Sequence, residues 1–291
     1  MKITIFGLGY VGATSAACFS KLGNIVYGID ILKERVDGMN KGQMPFYING
    51  LDNLMQEQVK KKRLKATMDY KDILRYSDIS FICVQTPCRK NGDIDLSAVE
   101  RVCDQIKEYS KKDHLAVIRS TVFPNQLSKL ENILKRDYAV NPEFLREATA
   151  IEDFFDPPFI VVGARNKYTF EKVMSCYGSI PSNIKRLNTL PEIAQMLKYA
   201  SNSWHACKIA FTNEIGEICK DLKIDGDKVM ELFCEDKKLN ISNKYHKIGS
   251  AYGGHCLPKD LSVLQYQSKK LNLPLIKAIS KSNNKIGGQS K

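Results

Sequence analysis

Residues 2–30 read KITIFGLGYVGATSAACFSKLGNIVYGID, and their spacing decides the fold. KITIF (2–6) is a short apolar run rich in β-branched residues, the pattern of a strand. GLGYVG follows at once, then ATSAACFSKLG with small residues along one helical face, then NIVYGID as a second strand. Strand, glycine turn, helix and strand in so short a segment open a doubly wound, parallel sheet. In the turn, Gly7 can make the tight bend, Gly9 leaves backbone bare for a pyrophosphate, and Gly12 lets helix and strand touch. The helix that starts there directs free N–H groups and the positive end of its dipole at the same point. Asp30 closes the second strand, 18 residues beyond Gly12, where a carboxylate can accept hydrogen bonds from ribose hydroxyls and repel a 2′-phosphate. The segment reads as a site for NAD rather than NADP.

The alternation continues. DISFICV (78–84), HLAVIRST (114–121), YAV (138–140) and FIVVG (159–163) read as strands, with helices over 96–109, near 124–135 and near 167–177. The expected fold class is α/β, a doubly wound, mainly parallel Rossmann-like sheet followed by an all-helical central domain. The texture changes near residue 184. From Pro191 to Leu222 apolar positions recur at helical spacing, with no glycine or proline before Gly216, which predicts one unusually long helix. Shorter helices are expected near 226–234, 258–271 and 274–286. The boundary is drawn at 185, giving an NAD-binding domain over 1–185 and a helical central domain over 186–291.

Composition narrows the function classes. A hydrophobic share of 43% and a charged share of 26% over 291 residues describe an ordinary globular chain. The net charge is +12, but its lysines are spread out. The one tight cluster, Lys60-Lys61-Lys62-Arg63, has the form of a solvated helix end, so a small polyanionic substrate is expected and nucleic acid is not. No apolar run reaches the roughly 18 residues of a membrane span. Lys2 and Ala16-Ala17-Cys18 imitate an export signal, yet the glycine spacing explains that stretch better. Nine cysteines, an odd number with no CxxC, point to a reducing, cytoplasmic compartment and mostly to core thiols. His114, His205, His246 and His255 form no ligand-spaced cluster, and no metal is expected.

One cysteine stands apart. It lies in AYGGHCLPKD (251–260), between paired glycines and Pro-Lys-Asp, where a structural thiol, a metal ligand and a nucleophile compete as explanations. Four other stretches join it: IRSTVFP (118–124), NPEFLREATAIEDF (141–154), MLKYASNSWHACKIAFTNEIG (196–216) and KLNISNKYHKIGS (238–250). Together with the glycine turn they resemble the nucleotide-sugar 6-dehydrogenases, the family of UDP-glucose and GDP-mannose dehydrogenases. The resemblance runs from residue 1 to about 287, and GGxCxPKD is its most specific element. SNSWHACKIAFTNEIG and EDKKLNIS lean toward the GDP-mannose members.

The resemblance implies a four-electron oxidation in which a sugar 6-hydroxyl becomes an aldehyde and then a carboxylate, with two NAD used in turn. It makes Cys256 the nucleophile: a thiolate adds to the aldehyde, and oxidation of the thiohemiacetal gives a thioester that water cleaves. Lys198 and Asn202 are four apart on the long helix and so share a face. By resemblance they stabilise oxyanion character on the substrate oxygen and hold a water. Asp260 is implied beside the proton-transfer water, and Thr121 as a water-positioning and cofactor contact. Glu143 is favoured as the hydrolytic base, with Glu147 touching cofactor or water. Further cofactor contacts are implied at Gly7, Gly9, Tyr10, Val11, Gly12, Asp30, Thr86 and Lys259. Substrate contacts are implied at Phe144, Leu145, Arg146, Tyr252 and Gly253, alongside Glu143, Lys198 and Asn202. A homodimer is implied through the long helix, whose Trp204, Ile209 and Phe211 give it apolar residues on more than one face.

Two departures stand out. In PFYINGL (45–51), Ile48 and Asn49 replace the acidic residue and proline common in the family, which alters local loop contacts. Relatives also continue past the central helices into a third, nucleotide-gripping domain, whereas this sequence ends at Lys291. Two other readings stay open: a two-electron hydroxyacid dehydrogenase, which has no use for Cys256, and an NAD-binding or dimerising fragment without activity.

Overall fold

The computed structural model describes residues 1–242, 251–253 and 256–287. Gly254 and His255 of the expected nucleophile loop, and the stretch 243–250, lie outside the described residues. The chain divides into two units, Met1–Ala200 and Ser201–Lys291.

In the first unit the chain runs β1 (Lys2–Phe6), α1 (Tyr10–Lys21), β2 (Ile25–Ile29), α2 (Lys33–Lys41), α3 (Leu51–Lys60) and β3 (Leu64–Thr67). It continues through α4 (Lys71–Tyr76), β4 (Ile79–Ile82), α5 (Ser97–Tyr109), β5 (Leu115–Ile118), α6 (Leu127–Leu134) and β6 (Tyr138–Val140). Then come α7 (Ala150–Phe155), β7 (Phe159–Ala164), α8 (Lys167–Ser175), β8 (Lys185–Thr189) and the start of α9 (Pro191–Leu222). The strands form one sheet in the order β3-β2-β1-β4-β5-β6-β7-β8. Every pairing is parallel except β6 with β7. This is the doubly wound α/β architecture expected from residues 2–30, with the order reversing between β1 and β4.

Period-two side-chain alternation divides the core between the two faces. Ile3 and Ile5 of β1 join Phe19 of α1 and Met55 of α3 on one side. Phe6 joins Ile82, Ile106 of α5 and Leu130 of α6 on the other. Phe19 is fully buried against the rings of Phe81, Phe154 and Tyr177, with centroids at 4.7, 5.1 and 4.9 Å. The two strands the sequence did not announce have a common cause. LKAT in β3 and KRLNT in β8 are sheet edges, too short and polar to show an apolar run. His114 is no metal ligand candidate. Its Nδ1 donates to the Ser77 carbonyl at 3.0 Å, which leaves Nε2 to accept from the Ser80 hydroxyl at 2.8 Å. Burial pushes the ring's pKa down to about 4.

The second unit contains the rest of α9, then α10 (Gly226–Glu235), α11 (Cys256–Gln267) and α12 (Pro274–Gly287). Glu214 of α9 is buried, and its two carboxylate oxygens accept from the N–H groups of Leu275 and Ile276 at 2.7 and 2.8 Å. That carboxylate caps the first turn of α12, where free N–H groups and the dipole both favour a negative charge. Gln265 of α11 donates to the Ile276 carbonyl at 2.7 Å and ties α11 to α12. Among the described residues, no helix is long and apolar enough to cross a membrane, and no cluster of histidine, cysteine and carboxylate could hold a metal.

Candidate active site

Parallel strands place their following loops on one edge of the sheet, and the first unit's site is built there, beyond β1, β4, β5 and β6. After β1 the chain turns at Gly7, whose φ of +88° favours glycine and whose N–H donates to the Ile29 carbonyl at 2.8 Å. A Cβ on Gly12 would sit 1.7 Å from the Gly7 carbonyl oxygen. A Cβ on Gly9 would meet nothing nearer than Arg35 Nη1 at 3.9 Å. Packing thus excludes a side chain at Gly12, while Gly9 leaves an open approach to backbone. No side chain caps α1 at Gly9, and its first turn, with Tyr10, Val11 and Gly12, holds no acidic residue. The cradle fits a pyrophosphate.

Asp30 is nearly buried, and the chain itself occupies much of its carboxylate. One oxygen accepts from the Leu8 N–H at 2.6 Å and lies 3.4 Å from Arg35 Nη1, and the other accepts from the Leu32 N–H at 2.9 Å. It therefore pins the glycine loop as well as facing the cavity. That cavity, about 300 Å³, is bounded by Asp30, Arg35, Met68, Tyr70, Arg101 and Gln105 among others.

A second group of side chains gathers on the same edge. Thr121 lies three residues past the end of β5, in a loop held from both sides. The Thr86 hydroxyl donates to the Thr121 carbonyl at 2.9 Å. Gln195 of α9 donates to the Ser120 carbonyl at 3.0 Å and accepts from the Val122 N–H at 3.3 Å. Glu143 comes from the irregular segment after β6, so the four-residue spacing of Glu143 and Glu147 is not a helical face; Glu147 opens a single 3₁₀ turn and is exposed. Lys198 is only 8% exposed and its ammonium lies 2.9 Å from the Glu143 carboxylate. The same carboxylate accepts from the Leu145 N–H at 2.8 Å, and the Phe144 ring lies 5.4 Å from the ammonium. Tyr10 bridges to this segment by donating to the Arg146 carbonyl at 3.0 Å. Burial first, then Glu147, Asp153 and Glu143, raise the Tyr10 pKa. Arg146 itself is spoken for by Asp153, at 2.6 Å.

The sequence reading missed the group that holds these loops. Arg119, at the foot of the Thr121 loop, is buried without a carboxylate partner among the described residues. It donates to Asn141 Oδ1 at 2.7 Å and to the Tyr177 hydroxyl at 3.1 Å, and Tyr177 donates to Asn141 Oδ1 at 2.7 Å. Asn141 Nδ2 completes the set on the Val161 carbonyl at 2.9 Å. With Asn141 fixed on every polar atom and Pro142 next to it, the position of Glu143 is set by the core. Arg119 and Asn141 lie inside IRSTVFP and NPEFLRE, so the signal was a basic and an amide residue where apolar ones should be.

The remaining candidates belong to the second unit. Asn202 is exposed on α9, one turn past Lys198. Tyr252 is held by Asn283, which accepts its N–H at 2.7 Å and donates to its carbonyl at 3.1 Å, and a Cβ at Gly253 would meet nothing within 4 Å. Cys256 is the first residue of α11. Lys259 and Asp260 pair with each other at 2.9 Å in the open.

Comparison with known proteins decides the family. The UDP-glucose/GDP-mannose dehydrogenase family matches twice, its NAD binding domain over residues 1–180 and its central domain over residues 192–285. The chain belongs to this family. It is 41% identical over 300 aligned positions to GDP-mannose 6-dehydrogenase of Pseudomonas aeruginosa, covering 97% of this chain and 68% of that one. It is 35% identical to UDP-glucose 6-dehydrogenase of Rickettsia bellii, covering 97% and 67%. The crystal structure of a ternary complex of GDP-mannose dehydrogenase from Pseudomonas aeruginosa superposes with a TM-score of 0.92 at 40% identity, over 98% of this chain and 69% of that one. A UDP-glucose dehydrogenase from Pyrobaculum islandicum gives 0.77 at 31% identity, over 99% and 68%. As a member of the UDP-glucose/GDP-mannose dehydrogenases the chain is an NAD-dependent oxidoreductase of the nucleotide-sugar 6-dehydrogenase type. The bare backbone at Gly9 and the uncapped start of α1 fit that cofactor's diphosphate.

Proposed function

We propose that the chain oxidises the 6-hydroxyl of GDP-mannose to the carboxylate through a covalent intermediate on Cys256. The observation that carries this reading is the buried Lys198–Glu143 pair at the carboxyl edge of the sheet. An ammonium and a carboxylate withdrawn from water together are what an oxidation followed by a hydrolysis requires. The higher identity to the GDP-mannose enzyme than to the UDP-glucose enzyme sets the order of substrates, with UDP-glucose second. Activity with GDP-mannose, UDP-glucose and a hydroxyacid, each offered with NAD, tests it. The reading fails if UDP-glucose or the hydroxyacid has the higher kcat/KM, or if no nucleotide sugar reduces NAD.

NAD supplies the electron acceptor for both oxidations. At rest Lys198 is neutralised by Glu143. As the substrate oxygen gains negative charge it competes for the ammonium, a strong interaction where little water screens it, with the Asn202 amide as a further donor. Cys256 supplies the nucleophile in this reading, since thiolate rather than thiol attacks an aldehyde. Addition of that thiolate to the aldehyde and loss of a second hydride leave a thioester. Glu143, released from Lys198, takes a proton from the water that cleaves it and returns the thiol. Thr121, Thr86, Glu147 and Lys259 serve the cofactor and water, and Asp260 the proton transfer. Glu143→Gln keeps the shape and removes the base, so hydrolysis should slow by about 10²–10⁴-fold. The variant should release a burst of NADH and hold substrate covalently, visible by mass spectrometry. Unchanged turnover without a burst would remove Glu143 from this role.

We also propose a cytoplasmic homodimer through α9. Trp204 and Ile209 remain 47% and 63% exposed in the described chain, and further along Leu222, Leu232 and Tyr266 are exposed as well. Apolar surface of that extent on neighbouring helices favours a covered interface. Light scattering at micromolar concentration should give twice the chain mass of 32.9 kDa, and a clean monomer would count against it.

A further inference from the structure

Arg119 is a charge where stability asks for none. It is buried, and its Nε has no hydrogen-bond partner among the described residues. Withdrawing a cation from water is costly, and an apolar side chain of similar volume commonly serves stability as well. Burial opposes the charge, yet Tyr177 first, then Cys83 and Glu143, outweigh it, and the Arg119 pKa is raised. What Nη1 reaches is Asn141 Oδ1 at 2.7 Å, the Asn141 carbonyl at 3.4 Å and the Tyr177 hydroxyl at 3.1 Å. Asn141 stands two residues ahead of Glu143, with the rigid ring of Pro142 between them.

The two loops that meet at Arg119 depend on it unequally. Its own loop has other anchors: the Ser120 hydroxyl lies 3.1 and 2.6 Å from the Ile82 and Val84 carbonyls, and Thr86 and Gln195 hold the neighbouring backbone. The segment carrying Glu143 is tied on its far side, where Tyr10 and Asp153 hold Arg146. On its near side the side-chain anchor is Asn141. Lys198 reaches Glu143 from α9, which is packed independently of that anchor.

We propose that Arg119 is a positioning residue for hydrolysis: through Asn141 and Pro142 it aims Glu143 at the water that cleaves the thioester, and neither oxidation depends on it. This assignment rests on the proposed reaction with Glu143 as base, and it adds a residue that touches neither substrate nor cofactor in that scheme. A general base displaced by about 1 Å loses on the order of 10²-fold.

Arg119→Met tests it in the whole chain, since methionine fills similar space without donor or charge, and Asn141 Oδ1 keeps Tyr177 as a donor. Rapid mixing with GDP-mannose and NAD should give an NADH burst within about threefold of the parent rate, then turnover slowed by about 10²-fold. Intact mass should show substrate held covalently. Because kcat/KM covers only the steps through release of the first NADH, kcat and KM should fall together while their ratio holds within about threefold. NAD affinity by isothermal titration should match the parent. Arg119→Lys, which keeps the charge and a donor, should recover at least about fivefold of the lost rate, and Tyr177→Phe should show the same kcat and KM pattern more weakly. Parent-like turnover, a kcat/KM that falls as far as kcat with no adduct, or Arg119→Lys no faster than Arg119→Met would overturn the assignment. If Glu143→Gln accumulates adduct and Arg119→Met does not, Arg119 alone is misassigned; if the parent forms no acid, the proposed reaction fails and this role with it. Should Arg119→Met not fold by circular dichroism, Arg119→Lys and Tyr177→Phe decide: each must lower kcat and KM together, and a loss confined to kcat/KM refutes the role.

Discussion

Cys256→Ser is expected to stop formation of the sugar acid, by more than about a thousandfold, while leaving the fold intact. An ordinary cysteine loses its proton near pH 8.5, and it is the thiolate rather than the thiol that attacks the aldehyde. A serine hydroxyl in the same place is far harder to ionise, so the aldehyde finds no nucleophile. The first oxidation needs no thiol, and aldehyde should still form slowly. A labelling experiment reads the same claim without turnover. Burial pushes the thiols of Cys83, Cys103 and Cys176 up to about 12 and raises that of Cys18 as well, so these four stay protonated at neutral pH. Cys88 and Cys234 are exposed and provide the reference. Substoichiometric iodoacetamide should find Cys256 first. Label that reaches Cys88 or Cys234 first, or acid formation by Cys256→Ser at the parent rate, would refute the nucleophile assignment.

Gly12→Ala should abolish NAD binding and lower the melting temperature by roughly 5–10 °C. The new methyl would lie 1.7 Å from the Gly7 oxygen, 2.9 Å from the Gly7 carbonyl carbon and 3.3 Å from Cys83 Cβ. The first two are backbone atoms of the phosphate turn itself, so no rotamer change relieves the clash. Either α1 moves off β1 or the turn at Gly7 opens, and each destroys the cradle. Gly9→Ala is the control, because its methyl enters open space. It should leave the melting temperature within a degree or two and still weaken NAD binding by blocking close approach. Parent-like NAD affinity in Gly12→Ala would contradict this account of the turn.

The parts legible in the sequence were those written locally. Gly7, Gly9, Gly12 and Asp30 fall within thirty residues, and each strand buried on both faces shows as an apolar run, as in ISFI and LAVI. The doubly wound, mainly parallel character of the sheet followed from that alternation. The edge strands β3 and β8 were not legible because an edge needs no apolar face pattern. The long helix was, because its periodicity runs for 32 residues. Within the site, the identity of Glu143 and Lys198 as candidates came from a family resemblance, but their direct contact joins residues 55 positions apart and has no local signature. The same holds for Arg119, Asn141 and Tyr177, whose side chains hydrogen-bond one another across 22 to 58 positions of chain. A buried polar network is selected as a set, so no single member announces itself. Asp30 shows a third kind of limit: its presence was legible, but its engagement with Leu8, Leu32 and Arg35 was not.

The central claim is that one chain carries an alcohol through aldehyde to acid on GDP-mannose. Counting NADH formed against GDP-mannose consumed, at completion and with limiting substrate, tests it most directly. The account predicts two NADH for each GDP-mannose, with the product a carboxylate; a ratio of one, with aldehyde as the end product, would contradict it.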